Sequence, residues 1–248
     1  MIHVLPEGRT EEKVIQKILH NQNYKVWQGE RRGPREESPL GKSQLNPKLR
    51  TLIGDKHLVG VRCLLLRDLD AHDNETEQRI RQSIEVTIQN TLRELEYNSS
   101  QVVLSPLQGH TNVFTLVLSQ PDIRLALHIA TTSWQETFIK TTIDDYVLTL
   151  SLYEETVEAL INSNGNGWSD VQSGEIVRKI TDEISTLLTK NHIPLREAKD
   201  FVRLYAAVMQ LHTSPPVFAE KVLAHAESDH INTVFASLKA AIDFLGGE

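Results

Sequence analysis

Two short runs, Ile2-His3-Val4-Leu5 and Cys63-Leu64-Leu65-Leu66, constrain this chain more than anything else in it. Runs of this length and apolarity form strands buried on both faces, which is the habit of a parallel sheet covered by helices rather than of a half-wet antiparallel one. Each run stops abruptly at acid: Glu7 follows the first, and Asp68 and Asp70 follow the second. In an open parallel sheet the carboxyl ends of neighbouring strands share one edge, so these acids are expected to converge although about sixty residues separate them. Three carboxylates brought together repel unless protons or a cation compensate, and hard oxygen donors suit Mg2+ or Mn2+.

The segments around these runs alternate in the same way. After Gly8, a tight strand-to-helix turn, Thr10 is expected to cap a helix with Val14, Ile15, Ile18 and Leu19 on one stripe and Glu11 and Glu12 in its first turn. For Glu12 helix-dipole compensation is a sufficient account; Glu11 lies nearer the expected site. Tyr24 to Trp27 reads as a second strand and Asn46 to Leu58 as a short helix. Between them Gly29, Gly33, Pro34, Pro39, Gly41 and Pro47 punctuate an irregular stretch carrying Arg31, Arg32, Arg35 and Lys42 among acids. Its cations could meet phosphate beside the acidic edge, but mixed-sign charge on a solvated loop is the preferred reading.

Asn74 with Glu77 resembles a capping box opening a long helix whose stripe is Ile80, Ile84, Ile88, Leu92 and Leu95. Gln101 to Leu104 is expected to be the next buried strand. Val113 to Leu118 and Ile123 to Ala130, separated by Ser119-Gln120-Pro121-Asp122, read as a hairpin with one covered face, which would leave His128 on the surface. From Trp134 onward the periodicity is helical. Ile176, Ile180, Ile184 and Leu188 form one stripe, Phe201, Leu204, Tyr205, Val208 and Leu211 another, and Ile231, Val234, Leu238, Ile242 and Leu245 a third ending at Gly246-Gly247; Asn164 to Gly167 and Ser214-Pro215-Pro216 are breaks. The expected organisation is an α/β domain over 1–132, a mainly parallel sheet flanked by helices and followed by a hairpin, and a helical region over 133–248.

Composition closes off several classes. No run approaches the roughly 18 apolar residues needed to cross a bilayer, and the start lacks a basic and a long apolar region, so a cytoplasmic protein without membrane contact is expected. Cys63, the single cysteine, sits in an apolar run and reads as a small core residue. A net charge of −7 argues against a wholly basic nucleic-acid surface but leaves room for a local patch. His72, His110, His225 and His230 do not make a zinc signature. No Gly-x-x-x-x-Gly-Lys-Ser/Thr loop occurs, so there is no ATPase module.

Over roughly residues 1 to 106 the chain resembles the TOPRIM domain of topoisomerases, primases, small ribosomal-RNA maturation nucleases and the overcoming-lysogenization-defect nucleases. The resemblance lies in Val4-Leu5-Pro6-Glu7-Gly8-Arg9-Thr10-Glu11-Glu12 and Leu65-Leu66-Arg67-Asp68-Leu69-Asp70. It implies that Asp68 and Asp70 hold a divalent metal, and that Glu7 either joins them or acts as general acid/base in phosphodiester cleavage of DNA or RNA. It further implies that Gly8 lets the backbone approach phosphate and that Glu11 serves a second metal, as in the nuclease-like branch. Phosphate contacts are expected from Gly8, Arg9 and Lys42 and from the cations of the 31 to 56 region. No tyrosine lies near the motif in sequence, so topoisomerase chemistry is not expected.

Three other readings stand beside this one. A TOPRIM-like scaffold could bind nucleic acid, nucleotide or a protein without cleaving. An aspartate-based phosphatase would use Asp68 as nucleophile and Asp70 as acid/base, but that motif normally ends the first strand and runs on to Thr or Val where His72 stands. A receiver domain wants two acids after strand one, and here Gly8 follows Glu7. The C-terminal helices are expected to form a homodimer, bind a protein partner, or cover the acidic edge.

Overall fold

A computed structural model describes residues 1–29, 39–55, 60–70, 73–134, 138–164, 173–193, 195–211 and 213–247. The expected contributions of Arg31, Arg32, Arg35, Lys56 and His72, and the turn at Gly165 to Gly167, lie outside the described residues. The chain divides into two compact units: Met1–Thr131 together with Ser237–Glu248, and Thr132–Ala236. The expected boundary was at 132/133; the last stretch, expected in the helical region, groups with the first unit.

The first unit is the α/β layer. Its strands are β1 (Ile2–Leu5), β2 (Tyr24–Val26), β3 (Val61–Arg67), a two-residue β4 (Leu69–Asp70), β5 (Ser105–Pro106), β6 (Val113–Ser119) and β7 (Asp122–Ile129). Six of them form one sheet in the order β2-β1-β3-β7-β6-β5. The pairs β1/β2, β1/β3 and β3/β7 are parallel, and β6 adds antiparallel to β7 and to β5. The sheet is thus mainly parallel, with the expected hairpin continuing it on one side.

Helices α1 (Arg9–Ile18), α2 (Lys42–Gly54) and α3 (Glu77–Glu94) connect the parallel strands. Leu45, Leu49 and Leu52 of α2 and Ile80, Ile84, Ile88 and Leu92 of α3 form one buried cluster with Leu5, Cys63, Leu65, Leu125 and Leu127 of the strands. Side chains alternate across a strand, so these odd-numbered residues define one face. Val4, Leu64, Leu66 and Ala126, on the opposite face, are equally buried, which is why the runs read as apolar throughout.

Several local expectations are corrected. Helix α1 begins at Arg9 with Gly8 in the capping position, so Thr10 is inside the helix and buried. Helix α2 begins at Lys42 and ends at Gly54, not at Asn46 and Leu58, because Gly41, at φ +67°, turns the chain into it. Thr76, not Asn74, caps α3 by accepting from the Arg79 N–H at 3.2 Å, while Asn74 takes a left-handed turn at φ +55°. Gln101–Leu104 is not a strand. Its backbone is met by side chains of α3: Glu85 Oε1 accepts from Leu104 N–H at 2.8 Å and Gln89 Nε2 donates to the Val102 carbonyl.

The second unit is helical: α4 (Ile143–Ser151), α5 (Glu154–Asn164), α6 (Ser173–Arg178), a π-helical turn (Lys179–Ile184), α7 (Ser185–Lys190), α8 (Ala198–Val208), α9 (Pro215–His225) and α10 (Ser228–Val234). Pro215 opens α9 at its first turn, where its missing N–H costs nothing. Phe201 stands edge-on to Trp134 at 4.4 Å between centroids, and the Tyr205 hydroxyl donates to the Ser151 carbonyl at 2.9 Å. The third stripe is two helices rather than one, α10 and α11 (Ala236–Gly246), parted at Phe235. Among the described residues no helix is long and apolar enough to cross a membrane.

Candidate functional site

Parallel register carries the acids to one edge. Leu5 of β1 pairs with Leu65 of β3. Two residues further along, Glu7 comes level with Arg67, and Asp68 follows. The Asp68 N–H donates to Glu7 Oε2 at 3.2 Å across a sequence separation of 61. The convergence of the two strand ends is therefore a direct contact.

Glu7 is not left to face the other acids alone. Arg67 Nε lies 3.1 Å from the same oxygen, Oε2, with both side chains largely buried at 8% and 12% exposure. The Nε–H is not aligned on that oxygen, so the contact is an ion pair rather than a hydrogen bond. Arg67 Nη2 then donates to Glu75 Oε1 at 2.9 Å, and Lys42 Nζ reaches the same Oε1 at 2.9 Å and Asp73 Oδ2 at 3.0 Å. Five side chains of alternating sign, Glu7, Arg67, Glu75, Lys42 and Asp73, run from the sheet edge outward into solvent.

The main chain fixes where this series starts and ends. The Glu7 carbonyl accepts from Gly41 N–H at 2.9 Å, which holds the first turn of α2, and with it Lys42, beside the end of β1. Burial by itself lowers the Lys42 pKa, but its hydrogen bonds to Glu75 and Asp73 outweigh that and raise it, so the ammonium stays charged.

Gly8 and Glu11 form a second close contact. A Cβ at Gly8 would lie 2.7 Å from Glu11 Oε2, so the buried Glu11 carboxylate occupies the space a side chain would take. The Gly8 backbone is extended, at φ −134°. A side chain there would have to displace the end of the Glu11 side chain, whereas the torsions suit any residue. Arg9, the first residue of α1, is exposed; Asp68 is buried, and Asp70 in β4 is partly so.

Of the expected residues, Glu7 and Asp68 are in contact, as are Gly8 and Glu11, while Lys42 joins Glu7 through Glu75 and Arg67. Sequence reasoning missed the parts played by Arg67, Glu75 and Asp73. One signal was available: Arg67 directly follows the apolar run Cys63–Leu66, where a buried cation is tolerable only with a counter-charge.

Among the described residues no three His, Cys, Asp or Glu side chains are arranged to enclose an ion. Glu7, Glu11, Asp68 and Asp70 are thus not a preformed cage. The donors still suit Mg2+ or Mn2+, because Mg2+ commonly takes one or two carboxylates from a protein and completes its shell with water and substrate phosphate. Comparison of the chain with protein-family models, with curated proteins and with solved structures finds no match.

Proposed function

We propose that this chain hydrolyses phosphodiester bonds of DNA or RNA, in the manner of a TOPRIM-like nuclease, with Mg2+ or Mn2+ at the edge where β1 and β3 end. The observation that carries this reading is the contact between the Asp68 N–H and Glu7 Oε2, which joins the two acid-ended strands at one point. Asp68 and Asp70 would hold the cation, whose chemistry when bound is to polarise a phosphoryl oxygen and to make bound water more acidic.

The chain's own groups do the rest. Glu7, steadied through Oε2, takes a proton from the attacking water or returns one to the leaving oxygen. Gly8 would admit a phosphate beside the first turn of α1 only once the Glu11 carboxylate, which fills the space next to it, moves aside. Arg9 and Lys42 supply positive charge to the nucleic-acid backbone, which a chain of net charge −7 must concentrate locally.

A second reading has its own support, since a Glu7 already neutralised by Arg67 also suits a scaffold that binds nucleic acid, nucleotide or protein without cutting. One experiment separates the two: Mn2+ titration by calorimetry on the wild type and on Asp68→Ala/Asp70→Ala, beside incubation with plasmid and structured RNA using Glu7→Gln as control. Cleavage lost in both variants supports the nuclease. Metal uptake without cleavage selects the scaffold, and titration heats unchanged in the double variant remove the metal site. Phosphate release from a small phosphomonoester, abolished by Asp68→Asn, would assign aspartate-based phosphatase chemistry instead.

A further inference from the structure

We infer that Arg67 and Lys42 form a clamp for a phosphate group of a nucleic-acid backbone, and that Glu75 plugs this clamp in the unbound protein as an internal stand-in for the phosphate. The inference rests on the nucleic-acid part of the reading above and on neither the cation nor cleavage. Its basis is a single oxygen. Glu75 Oε1 takes Arg67 Nη2 at 2.9 Å and Lys42 Nζ at 2.9 Å, so two cations from different elements, the end of β3 and the first turn of α2, converge on one anionic point. Both cations are held in place. Arg67 is 8% exposed and paired with Glu7 at 3.1 Å, and the Glu7 carbonyl accepts from Gly41 N–H, which sets the start of α2. An arginine and a lysine meeting on one carboxylate oxygen offer what a phosphate oxygen requires, a charged donor from each side, and the guanidinium fork can reach a second oxygen.

Charge dictates that a phosphate enters by exchange. The series Glu7, Arg67, Glu75, Lys42 and Asp73 holds one more acid than it holds cations, so a further anion added to it would be repelled. Displacing Glu75 gives the newcomer both cations, whereas displacing Glu7 or Asp73 gives it only one. Glu75 is able to leave. It lies ahead of Thr76, the capping residue of α3, and its side chain is 15% exposed, so swinging that side chain outward breaks no hydrogen bond of the helix. Arg67 stays compensated throughout, because Glu7 remains and the phosphate replaces what Glu75 supplied.

The test is fluorescence anisotropy of a labelled single-stranded oligonucleotide on the full chain, in EDTA so that no metal takes part. Glu75→Gln is expected to bind about tenfold tighter than wild type, the worth of one charge-assisted hydrogen bond. Glu77→Gln removes the same charge two residues along the chain and is expected to gain much less. Lys42→Ala is expected to cost Glu75→Gln several times more affinity than it costs wild type, because only the opened clamp uses Lys42 fully. Inorganic phosphate gives a second readout: it raises the melting midpoint of Glu75→Gln more than that of wild type, since it refills the place of the carboxylate. Binding by Glu75→Gln where wild type binds nothing also supports the inference. An affinity of Glu75→Gln no higher than that of Glu77→Gln, or a Lys42→Ala loss equal in both backgrounds, overturns the inference and leaves nucleic-acid binding standing. A phosphate-induced rise without an oligonucleotide gain assigns the clamp to free phosphate and overturns its nucleic-acid role. No oligonucleotide binding by any variant overturns the inference too, while the cleavage assay in Mn2+ decides the hydrolytic reading separately. Glu75→Ala carries the same comparison if Glu75→Gln does not fold.

Discussion

His128 Nε2 lies 3.0 Å from Ser237 Oγ, although 109 residues separate them. Asn112 Nδ2 stands 3.3 Å from the same ring nitrogen and donates to the Ile129 carbonyl at 3.2 Å. With 1% exposure, His128 is core, contrary to the surface position expected from the alternation of β7. The reason is α11, which brings Ser237 onto the face of β7 that the hairpin pattern left for solvent.

Stability is therefore expected to depend on pH through His128. Burial pushes its pKa down to about 4, from an ordinary 6.5, with His110 adding a smaller push. The unfolded chain then binds the extra proton between these values. The contribution is complete above pH 6.5 and is lost as pH falls towards 4, amounting to about 3 kcal/mol at most. Urea unfolding of wild type and His128→Gln across pH 4 to 7 checks this: their difference should shrink steadily on acidification.

Asp145 is expected to act with the opposite sign. Burial raises its pKa to about 6 from 3.8, in spite of hydrogen bonds from Trp134 and Thr142 that pull the other way. The folded state holds the proton more tightly, so this contribution is present below pH 3.8 and is lost as pH rises through 6. A carboxyl-carbon NMR titration should show a midpoint near 6. Asp145→Asn should abolish that pH-dependent part and cost roughly 1–2 kcal/mol, because an amide cannot accept on both sides as the carboxylate does from Trp134 and Thr142.

Gly8→Ala should injure the site without straining the backbone. The added Cβ would stand 2.7 Å from Glu11 Oε2, so Glu11 must leave its place. The expected loss is about 1–3 kcal/mol in denaturant unfolding, the usual range for overpacking. Adding Glu11→Ala to Gly8→Ala should recover part of it, which a strained backbone would not allow.

Lys42→Ala should separate phosphate contact from stability. Its pairs with Asp73 and Glu75 involve a side chain 39% exposed, so unfolding should change by under about 1 kcal/mol. Binding of nucleic acid should weaken across all sequences, and the slope of log affinity against log salt should fall by about one. Fluorescence anisotropy at several salt concentrations measures both.

Much of the architecture could be read from residue order because it depends on local pattern. The runs at Ile2–Leu5 and Cys63–Leu66 mark strands covered on both faces, the stripe Ile80, Ile84, Ile88 and Leu92 marks α3, and Val113–Ser119 with Asp122–Ile129 makes the hairpin. The adjacency of Glu7 and Asp68 also follows, since parallel neighbours end at one edge. What residue order could not supply was the partner of each charge. Arg67 takes Glu7 because register sets them level, and Glu75 takes both Arg67 and Lys42 because the turn before α3 and the start of α2 meet there. Gln101–Leu104 has strand-like residues but finds α3 side chains instead of a neighbouring strand, and His128 is buried by a helix from the far end of the chain. Burial pattern and periodicity are properties of a segment; ion pairs and covered faces are properties of what the folded chain lays against it, and those were decided only in three dimensions.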